Sequence, residues 1–147
     1  MIELALASMS IFGLGDWMCT SSAEYEDGMQ EHIQSHVSTT RNLDYEETLM
    51  LEYQQGDDDA RSRLRVFVSG HKEVAGHSFI AYPEEVELSV ELDEIGLLTP
   101  AFLESSRAFY QAPSAPIEVV ALDEHAMTLR LKETGEETTC QAVSAGA

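Results

Sequence analysis

The chain of 147 residues carries 27 acidic and 8 basic side chains, which give it a formal net charge of −19. This excess of carboxylates argues against direct binding to nucleic acid, whose phosphates are held by Lys and Arg. Anionic membrane surfaces repel such a protein for the same reason. The hydrophobic fraction of 44% is that of a globular protein. We therefore expect a single folded domain over residues 1–143 and a flexible tail at 144–147.

The first apolar run, residues 4–15, lacks the positive start of a signal peptide and is too short to span a membrane. We interpret it as a buried element of the domain, and we expect the protein to be cytoplasmic. The two cysteines, Cys19 and Cys140, lie near opposite ends of the chain. A disulfide between them is one alternative, but two isolated cysteines are more typical of reduced, buried thiols.

Residues 21–37 carry the pattern of an amphipathic helix. Ser21 and Glu24 have the spacing of a capping box, and the apolar side chains that follow recur at steps of three and four residues. His32 and His36 are four apart, which on a helix can place two imidazoles on one metal ion, but the sequence nominates no third ligand. We therefore predict an N-terminal helical segment and no metal site.

From Thr48 onward the period changes to two, which is typical of strands. A hairpin is predicted around an acidic turn near residues 55–60, followed by several short strands. Thr99 and Pro100 have the order of an N-cap and a first helical residue, so one short helix is predicted near 99–111. The order of elements predicts an α+β fold with a mostly antiparallel sheet. The later strands are expected at 77–82, 86–92, 117–122, 126–132 and 137–143.

The acidity gives the leading functional hypothesis, a non-enzymatic domain that docks on a basic protein, in the manner of an inhibitor, an immunity protein or a nucleic-acid mimic. Surface carboxylates steer such an association in a salt-dependent way. Solubility alone, or a high-salt cytoplasm, would also account for the charge. The residues predicted to contact the partner are Glu85, Glu87, Glu91 and Asp93 on one strand and Asp57, Asp58 and Asp59 at the hairpin turn.

Arg61 and Arg65 give an alternative hypothesis, a small β-domain that binds a phosphorylated ligand or a cyclic nucleotide. Their RxxxR spacing resembles that of PilZ-type domains, which bind a cyclic dinucleotide through paired arginines. Residues 93–96 lack the serine of that family's second motif, and the acidic residues nearby also predict cross-strand ion pairs. A third hypothesis is a structural subunit of a larger assembly such as a virion. Since the sequence carries no catalytic or cofactor motif, we predict neither an enzyme nor a bound cofactor.

Overall fold

Residues 14–143 fold into a closed barrel of eight antiparallel strands. The computed structural model describes residues 14–143. Each strand pairs with the next one along the chain, and β1 pairs with β8 to close the sheet. Within this range one helix, α1 (Pro100–Gln111), connects β5 to β6. The strands are β1 (Gly15–Glu24), β2 (Met29–Thr39), β3 (Asp44–Gln55), β4 (Arg61–Ala75), β5 (Ser78–Asp93), β6 (Ile117–Leu122), β7 (Ala126–Leu131) and β8 (Glu137–Ala142).

The predicted α+β fold with an N-terminal helical segment is wrong, because residues 21–37 lie in β1, β2 and the turn between them. Met29 and Ile33 are four residues apart. Residues at this spacing lie on the same face of a helix, but they also lie on the same face of a strand. The inward positions between and after them are Glu31 and Ser35, which lie opposite the buried Tyr53 and Leu49 of β3. These polar residues remove the alternation that marks a half-buried strand.

The β-rich part of the prediction is confirmed. The hairpin around the acidic turn is formed by β3 and β4, and the last three predicted strands correspond to β6, β7 and β8. The strands expected at 77–82 and 86–92 are one continuous strand, β5, whose register with β4 shifts next to Gly70. Helix α1 begins as predicted, with Thr99 Oγ1 accepting the N–H of Phe102 at 3.2 Å. The predictions for residues 1–13 and 144–147 lie outside the described residues.

Cys19 on β1 and Cys140 on β8 form a disulfide bond, so the prediction of reduced thiols is wrong. The two residues face each other in the register of the pair that closes the barrel, although 121 positions separate them in the chain. Disulfides persist mainly in oxidising compartments. The cysteines therefore no longer support a cytoplasmic location, which stays a prediction. No helix of residues 14–143 is long and apolar enough to cross a membrane.

Two clusters of buried side chains form the core inside the barrel. The larger comes from β3, β4 and the segment before α1, and the smaller comes from β1 and β5–β8. Members of both clusters face the same internal space, which is not filled by side chains. The larger cluster consists of Tyr45, Leu49, Leu51, Tyr53, Leu64, Val66, Val68 and Leu98. The smaller consists of Trp17, Cys19, Phe79, Val119, Met127 and Cys140.

Candidate functional site

A cavity of about 580 Å³ lies inside the barrel and is lined by residues of both core clusters. Small-molecule sites have volumes of roughly 300–1,000 Å³, and an eight-stranded barrel is wide enough to hold one small ligand. Most of the wall is apolar, so a ligand with an apolar body would remove its own surface and that of the wall from water. The apolar wall includes Ile33, Leu49, Val68, Phe79, Met127 and Leu129.

The wall of the barrel is incomplete between β5 and β6, which pair at only two positions. Along the rest of β5, helix α1 and residues 112–116 take the place of a neighbouring strand. Ser114 forms two hydrogen bonds with Ala81 of β5, and Arg107 donates to a β5 carbonyl oxygen at 3.2 Å. The helix end thereby becomes part of the cavity wall through Tyr110.

The exposed residues of the lining mark the mouth of the cavity, between the end of α1 and the β7–β8 connection. Phe109 leaves 73% of its surface exposed and packs edge-on against the ring of Tyr110, with a centroid distance of 5.1 Å. Glu133 and Glu136 of the β7–β8 connection are also exposed residues of the lining. The exposed part of the lining therefore combines an apolar ring with two carboxylates.

Lys72 of β4 places an ammonium group inside this apolar cavity. Its residue surface is 9% exposed, and its Nζ donates a hydrogen bond to Thr39 Oγ1 at 2.9 Å. Nζ also lies 4.7 Å from the ring centroid of Phe79 and 5.7 Å from that of Tyr45, both within range of a cation–π contact. Burial lowers the pKa of Lys72 to about 8, and the opposing effect of Glu47 is smaller. Lys72 is therefore still mostly protonated at neutral pH.

Glu47 of β3 is an ionisable group of the cavity lining that, unlike Glu133 and Glu136, is not exposed. Its Oε2 accepts a hydrogen bond from Ser35 Oγ at 2.5 Å. Burial raises the pKa of Glu47, while the Ser35 hydroxyl and the charge of Lys72 act in the opposite direction. Among residues 14–143, no carboxylate lies within ion-pair distance of Lys72, so the two cavity charges are not in direct contact.

Tyrosine hydroxyls complete the polar part of the site. Burial raises the pKa of Tyr45 to about 12, with Glu47 and Glu84 adding to the effect. Burial and then the charge of Glu47 also raise the pKa of Tyr110. Both phenols therefore stay neutral near physiological pH and remain available as hydrogen-bond partners.

The sequence did not reveal Ser35, Glu47, Lys72 or Tyr110 as site residues. Ser35 and Glu47 fell in segments that carry many polar residues, and Lys72 stood beside an acidic neighbour in a turn-rich region. The signal that could have found them is a charged residue at an inward position of an otherwise apolar strand, as Lys72 is in β4.

The acidic residues predicted to dock a partner lie on the outside of the barrel and in two groups. Glu85 and Glu87 are exposed on β5, whereas Glu91 forms an ion pair with Arg65, with Nε–Oε1 at 3.0 Å. Asp93 accepts hydrogen bonds from Ser62 Oγ and from the backbone N–H groups of residues 97 and 98. The Ser62 hydroxyl and these N–H groups lower the pKa of Asp93.

The other group, Asp57, Asp58 and Asp59, lies in the exposed β3–β4 turn. Asp58 contributes its backbone carbonyl oxygen to Arg61, which donates from Nη1 at 2.9 Å. The structure therefore does not bring the seven predicted partner residues into one contiguous set of contacts.

The arginines of the alternative hypothesis also lie on the outer face, away from the cavity. Arg61 approaches Glu52 at 3.9 Å, and Arg63 donates to the same carboxylate at 3.0 Å. Arg61 and Arg63 thus form cross-strand ion pairs with β3 as expected from the sequence, whereas Arg65 pairs with Glu91 of β5. A phosphate that bound these guanidinium groups would have to compete with carboxylates already in place.

His32 and His36 lie on β2, not on a helix, and this increases the distance between their side chains. Four residues along a strand span about 13 Å, too far for both imidazoles to reach one metal ion. His32 Nδ1 lies 3.0 Å from Ser22 Oγ, and His36 Nε2 lies 4.0 Å from Asp16. Residues 14–143 hold no group of three or more His, Cys, Asp or Glu side chains arranged to bind a metal.

A more open depression of about 450 Å³ lies over β1–β3 and is lined mainly by polar side chains. A ligand there would stay largely in water, so the internal cavity is the stronger candidate. Comparison of the chain with protein-family models found no match. Comparison with curated proteins found no significant match either.

Proposed function

We propose that the protein binds a small, mostly apolar molecule inside its barrel. The observation that carries this proposal is the 580 Å³ cavity, which has an apolar wall, a few inward polar groups and a mouth beside Phe109. Burial of apolar surface contributes about 25 cal/mol per Å², so even a small ligand would gain several kcal/mol from contact with this wall.

The polar groups of the cavity support binding over simple core packing. A core that served stability alone would place apolar side chains at positions 35, 47 and 72, because burying a polar or charged group is costly. Ser35 and Glu47 hydrogen-bond to each other and Lys72 to Thr39, so the polar groups are held in place. Such fixed polar groups in an apolar pocket are what orient a bound molecule.

The first test is titration with N-phenyl-1-naphthylamine, an uncharged apolar probe that becomes fluorescent when it leaves water. We expect saturable binding with one probe per chain. The same probe should raise the melting temperature, since a ligand that binds only the folded state stabilises it by mass action. Emission that rises linearly without saturation, together with an unchanged melting temperature, would contradict the proposal.

A pair of matched variants separates the cavity from the outer surface. Leu129→Trp places a larger side chain in the cavity wall, whereas Val120→Trp makes a similar change at an exposed position of β6. Only the first should abolish probe binding, measured at an excitation wavelength that tryptophan does not absorb. Far-UV circular dichroism should show that both variants keep the barrel. Equal loss of binding in both would place the probe outside the cavity.

A second candidate function, docking on a basic protein partner, is supported by the exposure of Glu85 and Glu87 on β5 and by the net charge of −19. We expect a basic protein captured at about 0.1 M salt to be released at about 1 M, where the Debye length falls from roughly 10 Å to 3 Å. Glu85→Gln with Glu87→Gln should weaken that capture, and Glu133→Gln with Glu136→Gln should not. Equal capture by both double variants would exclude the β5 surface as the contact.

A further inference from the structure

We propose that the ligand of the barrel is an amphiphile with a single carboxylate, whose head is bound by the ammonium of Lys72 within the cavity. This inference rests on the proposed binding function and adds the chemical class of the ligand. Three observations support it: the position of Lys72, the state of Glu47, and the match of one positive charge to one negative charge.

Lys72 is a buried cation with no carboxylate within ion-pair distance among the described residues. One of its three N–H donors is used by Thr39, and Nζ lies within cation–π range of the rings of Phe79 and Tyr45. Buried charges in proteins are normally paired, because desolvation is otherwise uncompensated. A carboxylate that entered the cavity would supply this missing partner and form charge-assisted hydrogen bonds with the free donors.

Glu47 makes an ammonium-bearing ligand the weaker candidate. The Ser35 hydroxyl already occupies Oε2 of this carboxyl, and burial favours its neutral form. Lys72, in contrast, keeps its charge near neutral pH. The surroundings of the Lys72 ammonium therefore favour an anionic head group, whereas the other two carboxylates of the lining, Glu133 and Glu136, are exposed to solvent.

A single lysine also limits the charge of that guest. A phosphate monoester carries about −1.5 to −2 charges at neutral pH, so one ammonium would leave part of its charge buried and unpaired beside Glu47. A carboxylate carries one charge, and the apolar wall suits a hydrocarbon body. The single ammonium and the apolar wall together favour a monocarboxylic amphiphile over a phosphorylated lipid.

The test is displacement of N-phenyl-1-naphthylamine at pH 7 by four molecules with the same twelve-carbon chain: dodecanoate, dodecanol, dodecylamine and dodecyl phosphate. We expect dodecanoate to displace the probe at a concentration at least tenfold below that of the other three, since a hydrogen bond to a charged group contributes about 1.5–3 kcal/mol. Equal affinity for the acid and the alcohol, or tighter binding of the amine or the phosphate, would overturn the inference while leaving the proposed function standing.

Two lysine variants locate the head group. Lys72→Met should remove the preference for dodecanoate over dodecanol, whereas Lys132→Met, which removes the same charge at an exposed position outside the cavity, should preserve it. A preference that survives Lys72→Met would contradict the assignment. Failure of the wild-type protein to bind the probe or any of the four molecules would instead refute the proposed function.

A third variant tests the inference without any change at Lys72. Glu47→Gln removes the competing carboxyl and leaves Lys72 in place. It should strengthen dodecanoate binding several-fold and leave dodecanol binding unchanged. Weaker binding of dodecanoate by this variant would show that Glu47 holds the head group instead of Lys72.

Discussion

Ser114 and Ala81 are joined by two hydrogen bonds of 2.9 Å each. The backbone N–H of Ser114 donates to the Ala81 carbonyl, and the Ser114 hydroxyl oxygen accepts the Ala81 N–H. A single residue after α1 thus satisfies both backbone groups of a β5 residue at the point where β6 no longer pairs with it. This contact fixes the segment that forms one side of the cavity.

Ser114→Ala should therefore destabilise the protein by about 1–3 kcal/mol, because the Ala81 N–H loses its acceptor. Ser89→Ala, at an exposed position of β5, should leave the free energy of unfolding within about 0.5 kcal/mol of wild type. Urea denaturation of the three proteins measures the difference. Equal stability of Ser114→Ala and wild type would mean that water replaces the hydroxyl at no cost.

The Cys19–Cys140 bridge should contribute about 2–5 kcal/mol to stability, because it closes a very long loop in the unfolded chain. Cys19→Ser with Cys140→Ser should lower the free energy of unfolding by that amount. A reductant should lower the stability of the wild type similarly and leave the double variant unchanged. A wild-type protein whose melting temperature is insensitive to reductant would contradict the bridge.

Gly70→Ala should destabilise the barrel by about 1–3 kcal/mol or more, because an added Cβ would overpack the register shift between β4 and β5. That Cβ would lie 2.1 Å from the Tyr82 carbonyl oxygen and 2.9 Å from Pro83 Cα. Both are backbone atoms, which cannot move aside as a side chain can. Ser69→Ala is the neighbouring control, and thermal unfolding compares the two. Similar melting temperatures of the two variants would show that the β5 backbone moves to accommodate the added Cβ at no cost.

Asp93→Asn should lower the melting temperature, whereas Asp57→Asn should not. Both substitutions remove one carboxylate from the acidic surface, but only Asp93 accepts hydrogen bonds from the buried Ser62 and from two backbone N–H groups. The contrast distinguishes a carboxylate that holds the β5–α1 connection from one that only contributes charge. An unchanged melting temperature for Asp93→Asn would contradict this structural role of Asp93.

The free energy of unfolding should rise between about pH 8 and about pH 10, because the buried Lys72 loses its proton in the folded state first. Its folded-state pKa is about 8, below the ordinary 10.5. Below pH 8 both states carry the proton, so the cost of burying the charge is present in full. Between the two values only the unfolded chain binds the proton, so stability rises with pH, by at most about 3 kcal/mol.

Above pH 10 the free energy of unfolding should fall, because Tyr45 keeps its proton in the folded state to about pH 12 while the unfolded chain ionises.

Lys72→Met should be more stable than wild type at pH 7 and should lose the rise between pH 8 and 10. Urea denaturation at pH 7, 8, 9 and 10 measures both. A rise that persists in Lys72→Met would have to come from another group.

Much of the fold after Thr48 could be predicted because its strands alternate regularly, as Leu64, Val66 and Val68 do in β4. The first two strands could not, and the reason is the cavity itself. Inward positions of β2 such as Ser35 face a space that holds polar groups, so they do not follow the apolar pattern. The lining of the cavity thus obscured the periodicity of the strand that contributes to it.

The candidate site was also beyond the reach of sequence patterns. Lys72 and Glu47 are 25 positions apart and line one cavity only when β3 and β4 curve around a common interior. The charge that dominates the composition lies mainly outside, where carboxylates such as Glu87 face solvent. Composition therefore described the outer surface of the barrel and said little about its interior.

The pairing of β1 with β8 gives the chain a circular order. The Val143 N–H donates to the Asp16 carbonyl at 3.0 Å, so the two ends of the described chain lie side by side. All other neighbouring strands are consecutive in sequence. A circular permutant that joined these ends by a short linker and began at the exposed β3–β4 turn would keep every strand pair of the barrel, with the same cavity inside a differently ordered chain.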